Sequence, residues 1–76
     1  GYYTMPVLAG DRLIGRMDPR LDRPQKRLVV QNLHLEPAVR PTASVRRALH
    51  TALESFAAFH GADRVTVQRT VPRGIL

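Results

Sequence analysis

The stretch "MPVLAGDRLIGRMD", residues 5–18, decides the fold, because it places short apolar segments on both sides of Gly10-Asp11. Glycine at the first central position of a two-residue connection suits a type II′ turn between antiparallel strands. We therefore predict a hairpin of two strands, Tyr2–Ala9 and Arg12–Asp18. This turn predicts four facing pairs: Leu8 with Leu13, Val7 with Ile14, Met5 with Arg16 and Pro6 with Gly15. Because proline donates no ladder hydrogen bond, the first strand should be an edge strand or bulged at Pro6.

A third strand is predicted over Arg27–Glu36 by the apolar run "LVVQNLHL". Successive side chains of a strand point to opposite faces of the sheet. One face would carry Leu28 and Val30 and then Asn32 and His34. The other would carry Val29, Gln31, Leu33 and Leu35. The second face is the more apolar toward its end, so we expect it to face the core.

An amphipathic helix is predicted over Ala43–His60, after a connector with two prolines, Pro37–Thr42. Apolar residues recur there at steps of three and four, which makes one stripe. The stripe consists of Val45, Ala48, Leu49, Ala52, Leu53, Phe56 and Ala57. Thr42 or Ser44 can cap the start, and Gly61 suits a left-handed C-terminal cap. We expect Phe56 and Phe59 to belong to the core and its edge.

The remaining residues predict a fourth strand and a tail. Valines alternate at positions 65 and 67 in the strand candidate Asp63–Thr70. The final "VPRGIL" resembles a thrombin-cleavage remnant, but Ile75 and Leu76 indicate native sequence. The element order is therefore β-β-β-α-β. We predict an α+β fold, in which a small, mainly antiparallel sheet carries one amphipathic helix, and residues 1–76 form a single domain.

The composition restricts the classes of function. The 76 residues contain no cysteine, which excludes disulfides and cysteine-based zinc sites, and a cytoplasmic location is expected. No apolar run approaches the roughly 20 residues of a membrane span, so no membrane partner is predicted. The net charge is +6, from eleven arginines and one lysine against six acidic residues. Such a balance is typical of polyanion binding, although solubility alone would also favour it.

No constellation of catalytic or metal-binding residues is evident. Asp18 and Asp22 could form a carboxylate pair for acid–base chemistry, but Asp18 before Pro19 also fits a capping role that shapes a loop. Arg20 and Arg23 would then hold both carboxylates ionised. The three histidines lack the spacing of metal ligands, and no phosphate-binding glycine loop is present. We predict no catalytic residue, no metal and no cofactor in this chain.

A basic segment joins the second and third strands. The predicted loop runs from Pro19 to Lys26, within the segment Asp18–Arg27, and proline at positions 19 and 24 would stiffen it. A rigid, basic loop loses less entropy when it docks on a ligand. We predict contacts with the phosphates of nucleic acid from five side chains: Arg16, Arg20, Arg23, Lys26 and Arg27.

The run "MPVLAGDRLIGRMDPRLDRPQKRLVVQNLHLEP", residues 5–37, resembles the C-terminal part of winged-helix DNA glycosylases of the YcaQ and AlkZ type. These are bacterial enzymes that repair alkylated and crosslinked DNA. The resemblance rests on Gly10-Asp11-Arg12-Leu13, Gly15-Arg16, Asp18-Pro19, Asp22-Arg23 and Leu35-Glu36-Pro37. It implies that this chain is the C-terminal segment of a larger protein with winged-helix domains upstream, located at the nucleoid. The family's catalytic motif, Gln-apolar-Gln or Gln-apolar-Asp, does not occur here, so no catalytic residue is carried over.

Two hypotheses for function follow. In the first, the chain is a non-catalytic lobe of a DNA-repair glycosylase that contacts the backbone of double-stranded DNA through its basic loop. In the second, it is a structural or interaction domain that packs on the upstream winged helices without touching DNA. The second hypothesis requires the arginines, Arg16, Arg20 and Arg23, to be paired with the chain's own carboxylates. A self-contained enzyme is a third alternative, which lacks a nucleophile–base pair.

Overall fold

The computed structural model describes residues 4–76 and confirms the α+β fold. Its elements are β1 (Met5–Ala9), β2 (Arg12–Asp22), β3 (Arg27–Leu35), α1 (Ala43–Phe59), β4 (Arg64–Val67) and β5 (Thr70–Val71). The sheet order is β1-β2-β3-β4, and β5 also pairs with β3. Strands β1, β2 and β3 form an antiparallel meander, whereas β4 and β5 run parallel to β3. Tyr2 and Tyr3 of the predicted first strand lie outside the described residues.

The first hairpin forms with a bulge that shifts the predicted register. Gly10 has a φ of +65°, as a primed hairpin turn requires, and Leu8 faces Leu13 as predicted. Beyond Leu8 the register changes, so that Val7 faces Gly15, Pro6 faces Arg16 and Met5 faces Met17. The other three predicted pairs are therefore wrong by one residue. β1 is an edge strand, as Pro6 indicated.

β2 continues four residues beyond its predicted end at Asp18. Met17 faces Leu33 and Pro19 faces Val30, so Asp18 alone lies opposite two residues of β3, Gln31 and Asn32. This is a β-bulge, a place where a strand tolerates proline. The predicted loop Pro19–Lys26 is thus wrong: residues 19–22 belong to β2, and only the four residues Arg23–Lys26 form the turn.

The same bulge switches the buried face of β3. Leu28 and Val30 are buried before the bulge, and Leu33 and Leu35 are buried after it. The predicted inward face is therefore confirmed for Leu33 and Leu35 but wrong for Val29 and Gln31, which are only partly buried. An extra residue in one strand reverses the alternation of all side chains beyond it.

The helix α1 covers one face of the sheet. Thr42 caps its start, where the Thr42 hydroxyl accepts from the Val45 N–H at 3.2 Å. The helix ends one residue before the prediction, and Gly61, with a φ of +75°, reverses the chain. The Ala62 N–H then donates to the Ala57 carbonyl and the Gly61 N–H to the Ala58 carbonyl, which is a Schellman motif. The predicted stripe faces the sheet: Val45, Leu49, Leu53 and Ala57 are buried, and Ala48, Ala52 and Phe56 pack against them.

The C-terminal segment belongs to the fold. The predicted fourth strand is interrupted at Gln68 and Arg69, so that β4 and β5 pair with β3 on either side of its bulge. The segment predicted to be a tail includes part of β5, and Ile75 is only 1% exposed within the core. The His50 imidazole donates to the Leu76 carbonyl at 3.2 Å. These contacts make residues 70–76 an integral part of the domain.

Candidate nucleic-acid interface

The face of the sheet opposite α1 is polar. Side chains alternate along β2, so the buried Met17 and Pro19 face the helix while Arg16, Asp18 and Arg20 face away. Across the ladder Arg16 lies opposite His34 and Arg20 lies opposite Val29. Arg16 and Arg20 are both exposed. No polar or charged residue among residues 4–76 is buried, so Arg16, Asp18 and Arg20 all remain at least partly accessible to solvent.

The turn Arg23–Lys26 closes the β2–β3 hairpin at one end of this face. The Lys26 N–H donates to the Arg23 carbonyl at 3.1 Å, and Pro24 occupies the second position, where its fixed φ favours the turn. Lys26 has a φ of +49°, a left-handed conformation that is uncommon for residues other than glycine. The turn presents Arg23 and Lys26 as exposed side chains.

Hydrogen bonds from both sides fix the turn. The Asp22 carboxylate accepts from the Gln25 N–H at 3.3 Å and also bonds the Arg27 guanidinium at 3.3 Å. From β4 and the residue before it, the Arg64 guanidinium donates to the Gln25 carbonyl at 3.1 Å, and the Asp63 N–H donates to the Lys26 carbonyl at 2.9 Å. The turn is therefore attached to the segment that follows α1, which makes its geometry independent of a ligand.

Two of the five predicted site residues have carboxylate partners. Arg16 lies 3.6 Å from Glu36, with side chains that are 54% and 27% exposed. Arg27 pairs with Asp22, and its Nε is buried without a hydrogen-bond partner among the described residues. Exposed ion pairs contribute only about 0–1 kcal/mol, so Arg16 can exchange its partner for another anion. Arg27 is less accessible to a ligand, because its guanidinium binds Asp22 within the hairpin and is partly buried.

The other three predicted site residues are unpaired. Within residues 4–76, Arg20, Arg23 and Lys26 have no carboxylate within 4.0 Å. The expectation that Arg20 and Arg23 hold Asp18 and Asp22 is wrong, because Asp22 binds Arg27. Asp18 accepts from the Thr4 hydroxyl at 3.0 Å and from the Asn32 amide at 3.2 Å, so it caps no loop. The hypothesis that Arg16, Arg20 and Arg23 are all occupied internally therefore holds only for Arg16.

The two aspartates near the basic turn have structural partners. Both oxygens of Asp18 and both oxygens of Asp22 accept hydrogen bonds from Thr4, the sheet or the turn. No three side chains of His, Asp or Glu gather with metal-binding geometry in the part of the chain that the structure describes. Among these same residues, no helix has the length and apolar character that crossing a membrane requires.

Sequence reasoning missed two features of this end of the domain. One is Arg64, which binds the turn from β4; nothing local in the sequence pairs it with Gln25, 39 residues away. The other is Phe59, predicted at the edge of the core but 85% exposed. The helical spacing already separated Phe59 from the stripe, because in the last turn Ala57 is buried and Phe56 packs against the core.

A comparison with protein-family models matches residues 2–59 to the AlkZ-like DNA glycosylase family. The chain belongs to this family. The match covers the meander, the turn with its cations and the whole of α1, and it confirms the resemblance noted from the sequence. No solved structure matches the chain. Membership of this DNA glycosylase family relates the domain to DNA repair.

Proposed function

We propose that this AlkZ-like domain is a non-catalytic, DNA-contacting part of a DNA-repair glycosylase, and that it holds the phosphate backbone of double-stranded DNA. In the full-length protein, upstream winged-helix domains would carry the catalytic residues that remove alkylated or crosslinked purines. The proposal places the protein at the nucleoid of a bacterial cell.

One observation carries this proposal. Arg20, Arg23 and Lys26 are exposed and have no carboxylate within 4.0 Å among the described residues, while Asp18 and Asp22 of the same hairpin bind other partners. Arginine and lysine with no internal partner are available to phosphate, and arginine matches phosphate oxygens with its planar fork. The hydrogen-bonded turn presents two of these cations, so little entropy would be lost on docking.

The remaining predicted residues extend the contact surface. Arg16 and Arg20 are four residues apart on β2, a separation of roughly 13 Å at the rise of a β-strand. Phosphates follow one another along each DNA strand at a rise of roughly 3.4 Å of axis, so Arg16 and Arg20 would contact different phosphates. Arg16 contributes after exchanging Glu36 for a phosphate, whereas Arg27 mainly supports the turn through Asp22.

The salt dependence of duplex affinity tests the proposal. In the full-length protein, Arg20→Ala, Arg23→Ala and Lys26→Ala should each reduce the slope of log affinity against log salt by about 0.9. Arg47→Ala removes the same charge from the exposed surface of α1 and serves as the control. If these three variants change the slope no more than the control does, these side chains do not hold DNA.

A second function, packing against other domains of the same protein, is favoured by a separate feature. A groove between α1 and β4 is lined by Leu53, Val65 and Leu76, and β4 is exposed at the edge of the sheet. Val65→Asn should lower the thermal stability of the full-length protein if this groove is covered there. The salt slopes of DNA binding distinguish the two functions, because this substitution changes no charge.

A further inference from the structure

Phe59 is the most exposed large apolar side chain of the described residues. It is the last residue of α1 and is 85% exposed, compared with 51% for Leu8 and 46% for Leu13. Isolated exposed apolar residues are common on protein surfaces and need no ligand to explain them. The surroundings of Phe59, rather than its exposure, give it a possible role.

The Phe59 ring packs against His60, which lies at the end of the domain that carries the unpaired cations. Its centroid is 5.1 Å from that of His60 in an edge-on arrangement, and the other neighbour of His60 is Phe56, at 4.5 Å. His60 in turn lines one surface cleft with Arg23 and Lys26 and a second cleft with Arg20. An exposed aromatic ring and three cations therefore lie at the same end of the domain, with His60 as their common neighbour.

This end of the domain is held together by backbone hydrogen bonds. The Schellman motif fixes the chain from Ala57 to Ala62, and the next N–H, that of Asp63, donates to the Lys26 carbonyl at 2.9 Å. Phe56 anchors the last turn of α1 against the core. The position of Phe59 relative to Arg23 and Lys26 is thus determined by the fold and needs no ligand to establish it.

We propose that Phe59 stacks on an unstacked nucleobase of the DNA whose phosphates are held by Arg20, Arg23 and Lys26. The inference rests on the proposed function and adds a base contact to it. Aromatic side chains next to a basic groove bind bases in this manner, and the contact tolerates any base because every base has a π-face. The C-terminal end of a helix carries partial negative charge, which disfavours phosphate directly at α1. The ring and the turn would therefore contact different parts of the same nucleotide chain.

The test compares two DNA probes, an intact duplex and the same duplex with a central abasic site, which leaves one base unpaired. In the full-length protein, Phe59→Ala should weaken binding to the abasic duplex about 5- to 150-fold, the range expected for one stacked base, and should affect the intact duplex much less. Phe59→Trp should restore the affinity. Leu8→Ala is the matched control, because Leu8 is also exposed but lies beside the Gly10 turn.

Four results would overturn the inference. Equal losses on both probes would mean that Phe59 does not contact an unpaired base. If Phe59→Ala leaves the affinity for both probes unchanged while Arg20→Ala and Arg23→Ala reduce the salt slope, the base contact is refuted and the phosphate contacts stand. If the salt slopes of the arginine variants are also unchanged, the proposed function itself is refuted. Lower thermal stability of the full-length Phe59→Ala protein at unchanged affinity would show that Phe59 packs against protein.

Discussion

The Asn32 amide donates to the Asp18 carboxylate at 3.2 Å, across the bulge at which two residues of β3 oppose one residue of β2. The other carboxylate oxygen of Asp18 accepts from the Thr4 hydroxyl, so Asp18 connects the bulge to the start of β1. Without this bulge Pro19 would lie in an uninterrupted ladder, where its missing N–H is poorly tolerated. The cationic end of β2 therefore depends on the Asp18–Asn32 pair.

Asp18→Ala should lower the free energy of unfolding by about 1–2 kcal/mol, because it removes both hydrogen bonds and leaves the Asn32 amide without its acceptor. Urea denaturation measures this loss. Asp63→Ala is the control, since Asp63 is exposed and its nearest cation lies 3.9 Å away. If both variants lose the same stability, the Asp18 contacts do not support the bulge.

Gly15→Ala should destabilise the domain by about 2–3 kcal/mol, the cost of overpacking against a rigid neighbour. A Cβ at Gly15 would lie 2.5 Å from the His34 carbonyl oxygen, which is backbone and cannot rotate away. Gly10→Ala provides the comparison, because a Cβ at Gly10 meets nothing within 4 Å and only its φ of +65° is unfavourable. A smaller loss at Gly15 than at Gly10, measured by urea denaturation, would contradict the close packing of β2 on β3.

Lys26→Gly should separate stability from DNA binding. Glycine accepts the φ of +49° without strain, but it loses more backbone entropy on folding than lysine does. Because the relief of strain exceeds this entropy loss, the free energy of unfolding should rise by about 0.5–1 kcal/mol. The same change removes one cation and should reduce the salt slope of duplex binding by about 0.9. Urea denaturation and binding titrations measure the two quantities. A fall in stability together with the fall in slope would indicate that Lys26 acts only by supporting the turn.

Ile75→Ala should cost about 2–4 kcal/mol of unfolding free energy, because it opens a cavity in the core. Ile75 is 1% exposed, whereas the adjacent Leu76 is 36% exposed, so Leu76→Ala should cost much less. Thermal or urea unfolding of the two variants provides the measurement. Equal and small effects would mean that the C-terminal segment is a dispensable tail.

The elements with strong local signals could be predicted from the sequence. Gly10-Asp11 fixes the first turn, and Thr42 and Gly61 bound a helix whose apolar stripe faces the sheet as expected. Each of these signals acts within a few residues of chain. The fold class and the order of the main elements follow from them.

The errors have a common physical origin in contacts between distant residues. Pro19 favours a loop when only its neighbours are considered, but the bulge at Gln31 and Asn32 accommodates it in a strand. The burial of Ile75 likewise follows from the pairing of β5 with β3, and no local sequence pattern predicts this pairing. The predicted site residues lie on two strands and a tight turn rather than on a long loop, because the bulge extends β2 to Asp22.

The slope of log affinity against log salt, for a triple variant in the full-length protein, tests the central claim most directly. Arg20→Ala, Arg23→Ala and Lys26→Ala combined should reduce the slope by about 2.7, at 0.9 for each lost phosphate contact. The charge-matched control combines Arg40→Ala, Arg46→Ala and Arg47→Ala, three exposed residues in or before the start of α1. The account predicts a large change for the first protein and a small one for the second; equal slopes for the two variants would contradict it.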